Sequence, residues 1–367
     1  MSRYTLTLAA AAAALVAAAG AAPTASAQST VTNPNDQAPT RQGTRGATFL
    51  TIPLGGRANA MAGAVTATED GPEAWYWNPA GAVTSEQFAA TASRQEMYKD
   101  LDINMMHFAA SLPLLGGVVG ANVTSLSSGD MERTDENFPT GGGIHGNTFN
   151  WSSTSIGLGY ARRLTDRLEV GGVMKYVSEG ITDATTSWVA LDAGTRFRTG
   201  LYGLTIGASM SNIGPSASAS GPLINLRIPR GNDAQQLTRT NLETQGTELP
   251  TLFRFSVASD LLGRSESLLG QGGGKNSLRA EAAFQNSTDS PIQFAGGVEY
   301  SFNNFVFLRA GDHVYNDQRG HGSSSYGMSF GGGLQVPLGG RPLRFDYAYT
   351  NMGDLQNVQV FTFGFGR

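Results

Sequence analysis

The chain has 367 residues, a formal net charge of -4, no cysteine, 48 glycines and only 15% charged residues. So slight a charge gives no sign of a nucleic-acid partner, and the lack of cysteine excludes both a disulfide framework and thiol chemistry. Glycine without a Gly-x-y period excludes collagen, and the absence of a run of about eighteen apolar residues beyond the N-terminus excludes helical membrane spans. A secreted all-β protein and a transmembrane β-barrel remain.

Residues 1–27 have the make-up of a secretory signal peptide. Arg3 gives the positive start, Leu6–Ala22 the apolar run, and Ala25-Ser26-Ala27 the small-residue cleavage site before Gln28. A membrane anchor is the alternative, but the run is alanine-rich and stops at Pro23. The chain is therefore expected to be exported. Residues 28–45 are polar, with Pro34 and Pro39 and no periodicity, and are expected to form a periplasmic lead-in.

Residues 46–84 are expected to form a hatch of short helices. Gly55–Val83 is crowded with glycine and alanine, turns at Glu69-Asp70-Gly71-Pro72 and carries Trp75-Tyr76-Trp77. Small residues let backbone pack on backbone, and the three aromatics supply apolar area. Pro72 and Pro79 suit the first position of a short helix, with Asn78 as the N-cap.

Phe49-Leu50-x-Ile52 leading into Gly56-Arg57-Ala58, then Met61-x-Gly63-Ala64, then Trp77-Asn78-Pro79-Ala80-Gly81, is an ordered set. It resembles the opening of the PorV/PorQ family, a branch of the FadL-like outer-membrane barrels whose N-terminal hatch carries an Asn-Pro-Ala turn. The resemblance implies a barrel plugged by its own N-terminus, with Arg57, Met61, Gly63, Trp77, Asn78, Pro79, Ala80 and Gly81 as the hatch motif. Beyond it the likeness is one of layout, including a second strand opening on Asp102-x-Asn104.

From residue 85 to 367 strand-like alternation recurs fourteen times, near 86–97, 101–114, 116–127, 151–164, 166–179, 185–198, 201–213, 249–261, 276–287, 291–302, 304–315, 325–337, 341–351 and 355–366. Most segments run 11–14 residues. A tilted membrane strand needs roughly 9–11, and a globular strand averages about 5–6. Each has one apolar face and one small-or-polar face. Leu343, Phe345, Tyr347 and Tyr349 oppose Arg344, Asp346 and Thr350, and Phe294, Val298, Tyr300 and Phe302 oppose Gln293, Glu299 and Ser301. That pattern predicts lipid outside and a hydrated or plugged lumen inside. Tyr176, Tyr202, Phe302, Tyr326 and Tyr349 are expected at the interfacial girdles. Phe361, Phe363 and Phe365 give the aromatic last strand common in such barrels, although this chain ends in Gly366-Arg367.

Loop lengths alternate as a barrel requires. Short turns follow strands 2, 4, 6, 10 and 12, while 128–150 and 214–248 follow strands 3 and 7. The segment 262–275 breaks the rule, either as a flexible periplasmic loop or because the strand count slips there. In 214–248, Leu223, Ile224, Leu226 and Ile228 form an apolar core expected to be a partner-binding loop, or else a lid folded over the mouth.

No HExxH, GxSxG or phosphate-cradling motif is present, so no enzyme, cofactor or metal is expected. Asp312-His313 beside Ser323–Ser325 reads as a strand end before a polar loop rather than a catalytic triad. His107 and His145 have no partner motif, and the loop acids Asp130, Glu132, Asp135 and Glu136 read as a solvated loop, capable at most of weak divalent-ion binding. His321 stands alone. The informative charges face the lumen: Glu169, Lys175, Asp192, Arg196, Arg254, Arg279, Glu281, Glu299, Arg309, Arg344 and Asp346. Buried charges must be paired or wet, so these are expected to hold hatch and wall together, with Arg57 meeting one of the carboxylates.

The expected location is the outer membrane, with its lipid as a partner. The resemblance implies an accessory of type IX protein secretion, whose extracellular loops receive the signal domains of secreted cargo beside a translocon. The alternatives are a FadL-like transporter of hydrophobic small molecules such as long-chain fatty acids, and a scaffold barrel without transport.

Overall fold

The period-two alternation resolves into fourteen antiparallel strands that close into one barrel. The structure, a computed structural model, describes residues 43–97, 102–134, 139, 148–230, 233–241, 244–263, 267–269, 275–315, 328–352 and 357–366. The strands are β1 Ala89–Met97, β2 Ile103–Leu114, β3 Gly117–Ser127, β4 Trp151–Arg163, β5 Leu168–Ile181, β6 Ala184–Arg198 and β7 Thr205–Ile213. They continue as β8 Leu252–Leu262, β9 Asn276–Ser287, β10 Gln293–Phe302, β11 Val306–Tyr315, β12 Ser329–Leu338, β13 Arg341–Asn351 and β14 Asn357–Phe365. Every strand pairs with its chain neighbours, and β1 closes on β14 with Ala92 opposite Phe363. Closure leaves the sheet without a free edge strand, as a barrel in lipid requires.

The burial pattern is inverted relative to a water-soluble protein. Leu158 is 65% exposed, Met174 59% and Phe363 57%, whereas Glu169, Arg309 and Asp346 are at most 4% exposed. An apolar outer face is stable only in hydrocarbon, and the charged inner face only if something polar fills the lumen.

The expected strands are all present, with shifted starts. β1 begins at Ala89 rather than 86, and β8 at Leu252 rather than 249. β7 begins at Thr205 rather than 201, because Gly200, Tyr202 and Gly203 take positive φ values of 74°, 54° and 61° and spend those residues in a turn. Tyr202 is therefore a turn residue at the rim, still 55% exposed. The unbroken order β7, β8, β9 means the count does not slip, so the segment between Leu262 and Asn276 lies at the short-turn end. At the opposite, long-loop end two small hairpins stand apart from the barrel sheet: Met131–Glu132 with Thr148–Phe149, and Asn225–Arg230 with Asp233–Asn241.

The lumen is occupied by residues 46–84. Two short helices, α1 Gly56–Ala60 and α2 Ala74–Trp77, alternate with 3-10 turns at Thr48–Thr51, Gly71–Glu73 and Pro79–Thr84. The chain enters at the long-loop rim, where Gly46 N–H donates to the Glu248 carbonyl, Arg45 pairs with the Glu248 side chain and Thr44 N–H reaches Asp289. It then leaves through Ser85 into β1 at the short-turn end. The described part of the expected periplasmic lead-in, Gly43–Arg45, thus lies at the end opposite the short turns.

Candidate functional site

The site is the joint between hatch and wall. Asn78 is wholly buried and, as expected of an N-cap, its Oδ1 accepts the Ala80 N–H at 3.2 Å with Pro79 opening the 3-10 turn. Its amide donates in two further directions, to the Thr66 carbonyl at 2.8 Å within the hatch and the Thr195 carbonyl at 3.0 Å on β6. One side chain therefore fixes a turn, ties two hatch segments and anchors both to the wall. Pro72 is the second, not the first, residue of its 3-10 turn.

Trp75, Tyr76 and Trp77 each place a polar hydrogen on a partner. Trp75 Nε1 donates to Ser111 Oγ on β2 at 2.9 Å, Trp77 Nε1 to the Leu54 carbonyl at 2.9 Å, and the Tyr76 hydroxyl to the Leu50 and Ile52 carbonyls at 2.9 and 2.7 Å. Burial pushes the Tyr76 phenol up to about 12. The Arg254 guanidinium of β8 lies 5.3 Å from the Tyr76 ring centre and 5.0 Å from that of Trp77.

Glycine on the inner face is what lets the hatch fit. A Cβ added at Gly159 would lie 2.5 Å from the Trp75 ring, one at Gly171 2.5 Å from the Pro79 backbone, and one at Gly207 2.6 Å from Ala67 Cα. Gly297 of β10 and Gly311 of β11 face Met61 in the same way. Gly63 follows Ala62, both with positive φ (84° and 53°), and Gly81 packs against the Glu69 carbonyl.

Charges lock the remainder. Arg57 is 2% exposed, and burial alone would lower its pKa, but the Glu299 and Glu69 carboxylates outweigh this and hold it well above its ordinary value. Its Nη1 lies 2.8 Å from Glu69 Oε2 and its Nε 3.0 Å from Glu299 Oε2 on β10. Glu299 is shared with Arg309 at 2.6 Å, and Asp346 joins Arg309 at 2.8 Å to Arg344 at 2.7 Å. Glu281 of β9 accepts the Ala67 N–H at 2.8 Å, the Thr68 hydroxyl at 2.5 Å and the Ser256 hydroxyl at 2.6 Å. On the far side Arg196 bridges Asp70 of the hatch and Glu169 of β5, each at 2.5 Å, and Glu169 also meets Arg163 and Arg198.

Three of the named charges stand outside this lattice. Lys175 pairs with Asp192 at 2.7 Å and touches Asn212, all on the wall. Arg279 pairs across strands with Asp260 at 2.7 Å, near the short-turn end. The hatch carboxylates Glu69 and Asp70 and the wall partners Arg163 and Arg198 are members the sequence reading did not single out. Their signal was present in the turn Glu69-Asp70 and in the inward parity of Arg196, its near neighbour on β6.

Above the hatch, toward the long loops, a cavity of about 190 Å³ is left between Thr51–Pro53, Asn59 and Ala62 of the hatch and the upper ends of β1 and β9–β14. Gln95, Gln285, Gln293 and His313 line it together with Met97, Met352 and Val358. Sequence reading missed it because these residues have nothing in common but inward parity at the strand ends. Of the expected docking loop, the backbone forms the Asn225–Arg230 hairpin, with Ile224 half-buried, whereas the side chains of Leu223, Leu226 and Ile228 lie outside the described residues. His145, His321, Asp135, Glu136, Tyr326 and Ser323–Ser325 also lie outside them. Among the described residues no group of His, Asp and Glu is placed to hold a metal ion.

No family model and no curated protein sequence matches the chain. Solved structures do. The Pseudomonas putida toluene transporter TodX superposes with a TM-score of 0.52 at 11% identity, covering 85% of this chain and 97% of that one. The Ralstonia pickettii toluene transporter TbuX gives 0.51 at 12% identity, with 85% and 97% covered. At such identities the likeness is one of fold alone, that of a closed antiparallel outer-membrane-type barrel. The narrower resemblance to PorV/PorQ has no counterpart among these structures.

Proposed function

We propose that the chain is an outer-membrane uptake barrel for small, partly hydrophobic molecules, with the hatch as its closure. The observation that carries this reading is the cavity of about 190 Å³ seated directly on the hatch at the long-loop end. In a barrel whose short turns face the periplasm, that end faces the outside, so the cavity is where an arriving molecule is stopped by the plug. The shared fold with two toluene transporters supports the reading. The signal-peptide-like composition of 1–27 and the apolar outer belt agree with an outer-membrane location. Residues 46–84 then work as the gate, and the shared carboxylates and guanidiniums set how readily it moves. The test is uptake of single-ring solutes by a porin-poor host expressing the chain. Faster uptake than in the empty host is expected; identical rates overturn the proposal.

A second reading, in which the barrel is an accessory of type IX secretion, is favoured by the ordered hatch motif and by the hairpin Asn225–Arg230/Asp233–Asn241, which stands free of the barrel sheet at the same end. Such a hairpin offers strand edges to the β-rich signal domain of a secreted cargo or to a translocon.

A further inference from the structure

The cavity above the hatch has a chemistry more specific than its size. Its lining contains no Asp, Glu, Lys or Arg among the described residues. A carboxylate entering it would be stripped of water without a cation to receive it, which disfavours fatty acids. Its volume of about 190 Å³ also excludes long chains. An apolar cavity of about 150 Å³ is known to hold benzene, so the space suits one ring or a short aliphatic body.

Among the described lining groups, the Gln95 amide oxygen lacks a mate. Gln95 points inward from β1 and is 4% exposed, and its amide oxygen has no hydrogen-bond partner among the described residues. Several polar neighbours are already engaged: Asn59 donates to the Pro53 and Gly55 carbonyls, Gln285 donates to Gln293, and Ser329 pairs with Thr350. A hydrocarbon seated against Gln95 would bury that amide unsatisfied, which costs more than the apolar contact returns at that spot. A hydroxyl satisfies it in either orientation of the amide, since it can donate to Oε1 or accept from Nε2. Ile52, Met97, Met352 and Val358 supply apolar walls for the rest of the molecule.

We propose that this cavity binds a compact, neutral molecule bearing one hydroxyl on a single-ring or short aliphatic body, with the hydroxyl on Gln95. The proposal deepens the uptake reading and rests on it only for how the ligand arrives. It separates this chain from carriers of plain hydrocarbons or of fatty acids.

The test is calorimetric titration of the full chain in lipid nanodiscs with p-cresol, toluene and octanoate. Wild type should bind p-cresol at least about tenfold more tightly than toluene, the worth of one buried hydrogen bond, and octanoate not measurably. Gln95→Leu should abolish that preference. Toluene binding as tightly as p-cresol to wild type, octanoate binding best, or an unchanged preference in Gln95→Leu would overturn the proposal. If Gln95→Leu does not fold, Met352→Trp serves instead, filling the space from the loop side. It should lose p-cresol binding, and retention would place the ligand elsewhere and overturn the site. Uptake into proteoliposomes separates the two readings. p-Cresol bound but never admitted leaves the site standing and removes the uptake function. p-Cresol admitted equally by wild type and Gln95→Leu, with no difference in binding, removes the site and leaves uptake.

Discussion

Arg57 of the hatch and Glu299 of β10 are 242 positions apart in sequence and meet through two hydrogen bonds, Nε to Oε2 at 3.0 Å and Nη2 to Oε1 at 3.3 Å. The fork is bidentate, and the same Arg57 holds Glu69 within the hatch. The pair joins a plug to the wall that surrounds it, with almost no water to screen it. Removing the cation leaves two buried carboxylates facing each other. Arg57→Met should cost about 3–5 kcal/mol of hatch stability and raise the opening frequency in planar bilayers. Adding Glu69→Leu should recover part of the loss. A silent Arg57→Met bilayer with wild-type resistance to denaturant would show that the pair holds nothing shut.

Much of this was legible in the sequence because a membrane barrel writes its fold in parity. Phe345 and Tyr347 alternate with Arg344 and Asp346, and the same rule placed the lumen charges without any knowledge of their partners. Asn78-Pro79 likewise announced a capped turn. What parity does not show is which inward residues meet. Glycine on the inner face reads as merely small, yet Gly159, Gly171 and Gly207 each stand where a hatch atom needs the room. Tyr202 carries strand-like composition and is spent in a turn by its two glycine neighbours. The cavity was illegible for a related reason: Gln95 and Met352 lie on strands far apart in the chain, and only closure of the barrel brings them together.

The Trp75 seat gives a test of steric fit. Its indole lies over Gly159 of β4, where an added Cβ would sit 2.5 Å from the ring, and over its cross-strand neighbour Gly120 of β3. Gly159→Val should displace the ring, break the Trp75–Ser111 hydrogen bond and expose the hatch to protease. Overpacking of this kind typically costs about 1–3 kcal/mol. Trp75→Ala should be costly alone but should relieve Gly159→Val, so the double variant should be more stable than additive values predict. Strict additivity would mean the two residues do not share one seat.

Asn78→Ala removes a cap worth about 1 kcal/mol and leaves the buried Thr66 and Thr195 carbonyls short of a donor, adding about 1–3 kcal/mol. Asn78→Asp keeps the cap acceptor but loses both amide donors and buries a charge, so it should be worse than alanine. Thermal unfolding followed by the hatch tryptophans checks the order. An aspartate variant as stable as wild type would show that the cap alone matters.

Tyr76 gives the chain an alkaline limit. Its phenol is raised from 10.0 to about 12 by burial. The protonated form is therefore favoured in the folded state, and the stability it contributes is fully present below the unfolded value and lost as pH rises through the folded one. Hatch stability should fall between pH 10 and about 12, the window set by that shift. Tyr76→Phe should be less stable at neutral pH, having lost the hydrogen bonds to Leu50 and Ile52, and should lack this component of the decline. Tyrosinate absorbance followed alongside unfolding tests it: a Tyr76→Phe variant with the same alkaline profile would assign the decline to other tyrosines.

The hairpin Asn225–Arg230 with Asp233–Asn241 decides between the two functional readings. Its register runs from Asn225 opposite Asn241 to Pro229 opposite Leu237, and the pairing then shifts at Arg230, so it closes on itself without borrowing a barrel strand. Replacing 222–241 by a Gly-Ser linker should therefore leave the barrel heat-modifiable on gels, because every lumen and wall contact described above lies elsewhere. Under the uptake reading, single-ring solutes should enter the deletion variant at least as fast as wild type, since the cavity lining contains no residue of this segment. Under the export reading, the same variant should lose co-purification with cargo signal domains while keeping its fold. A loss of solute entry with cargo binding retained would invert both assignments and make the segment a lid that admits ligand rather than a dock.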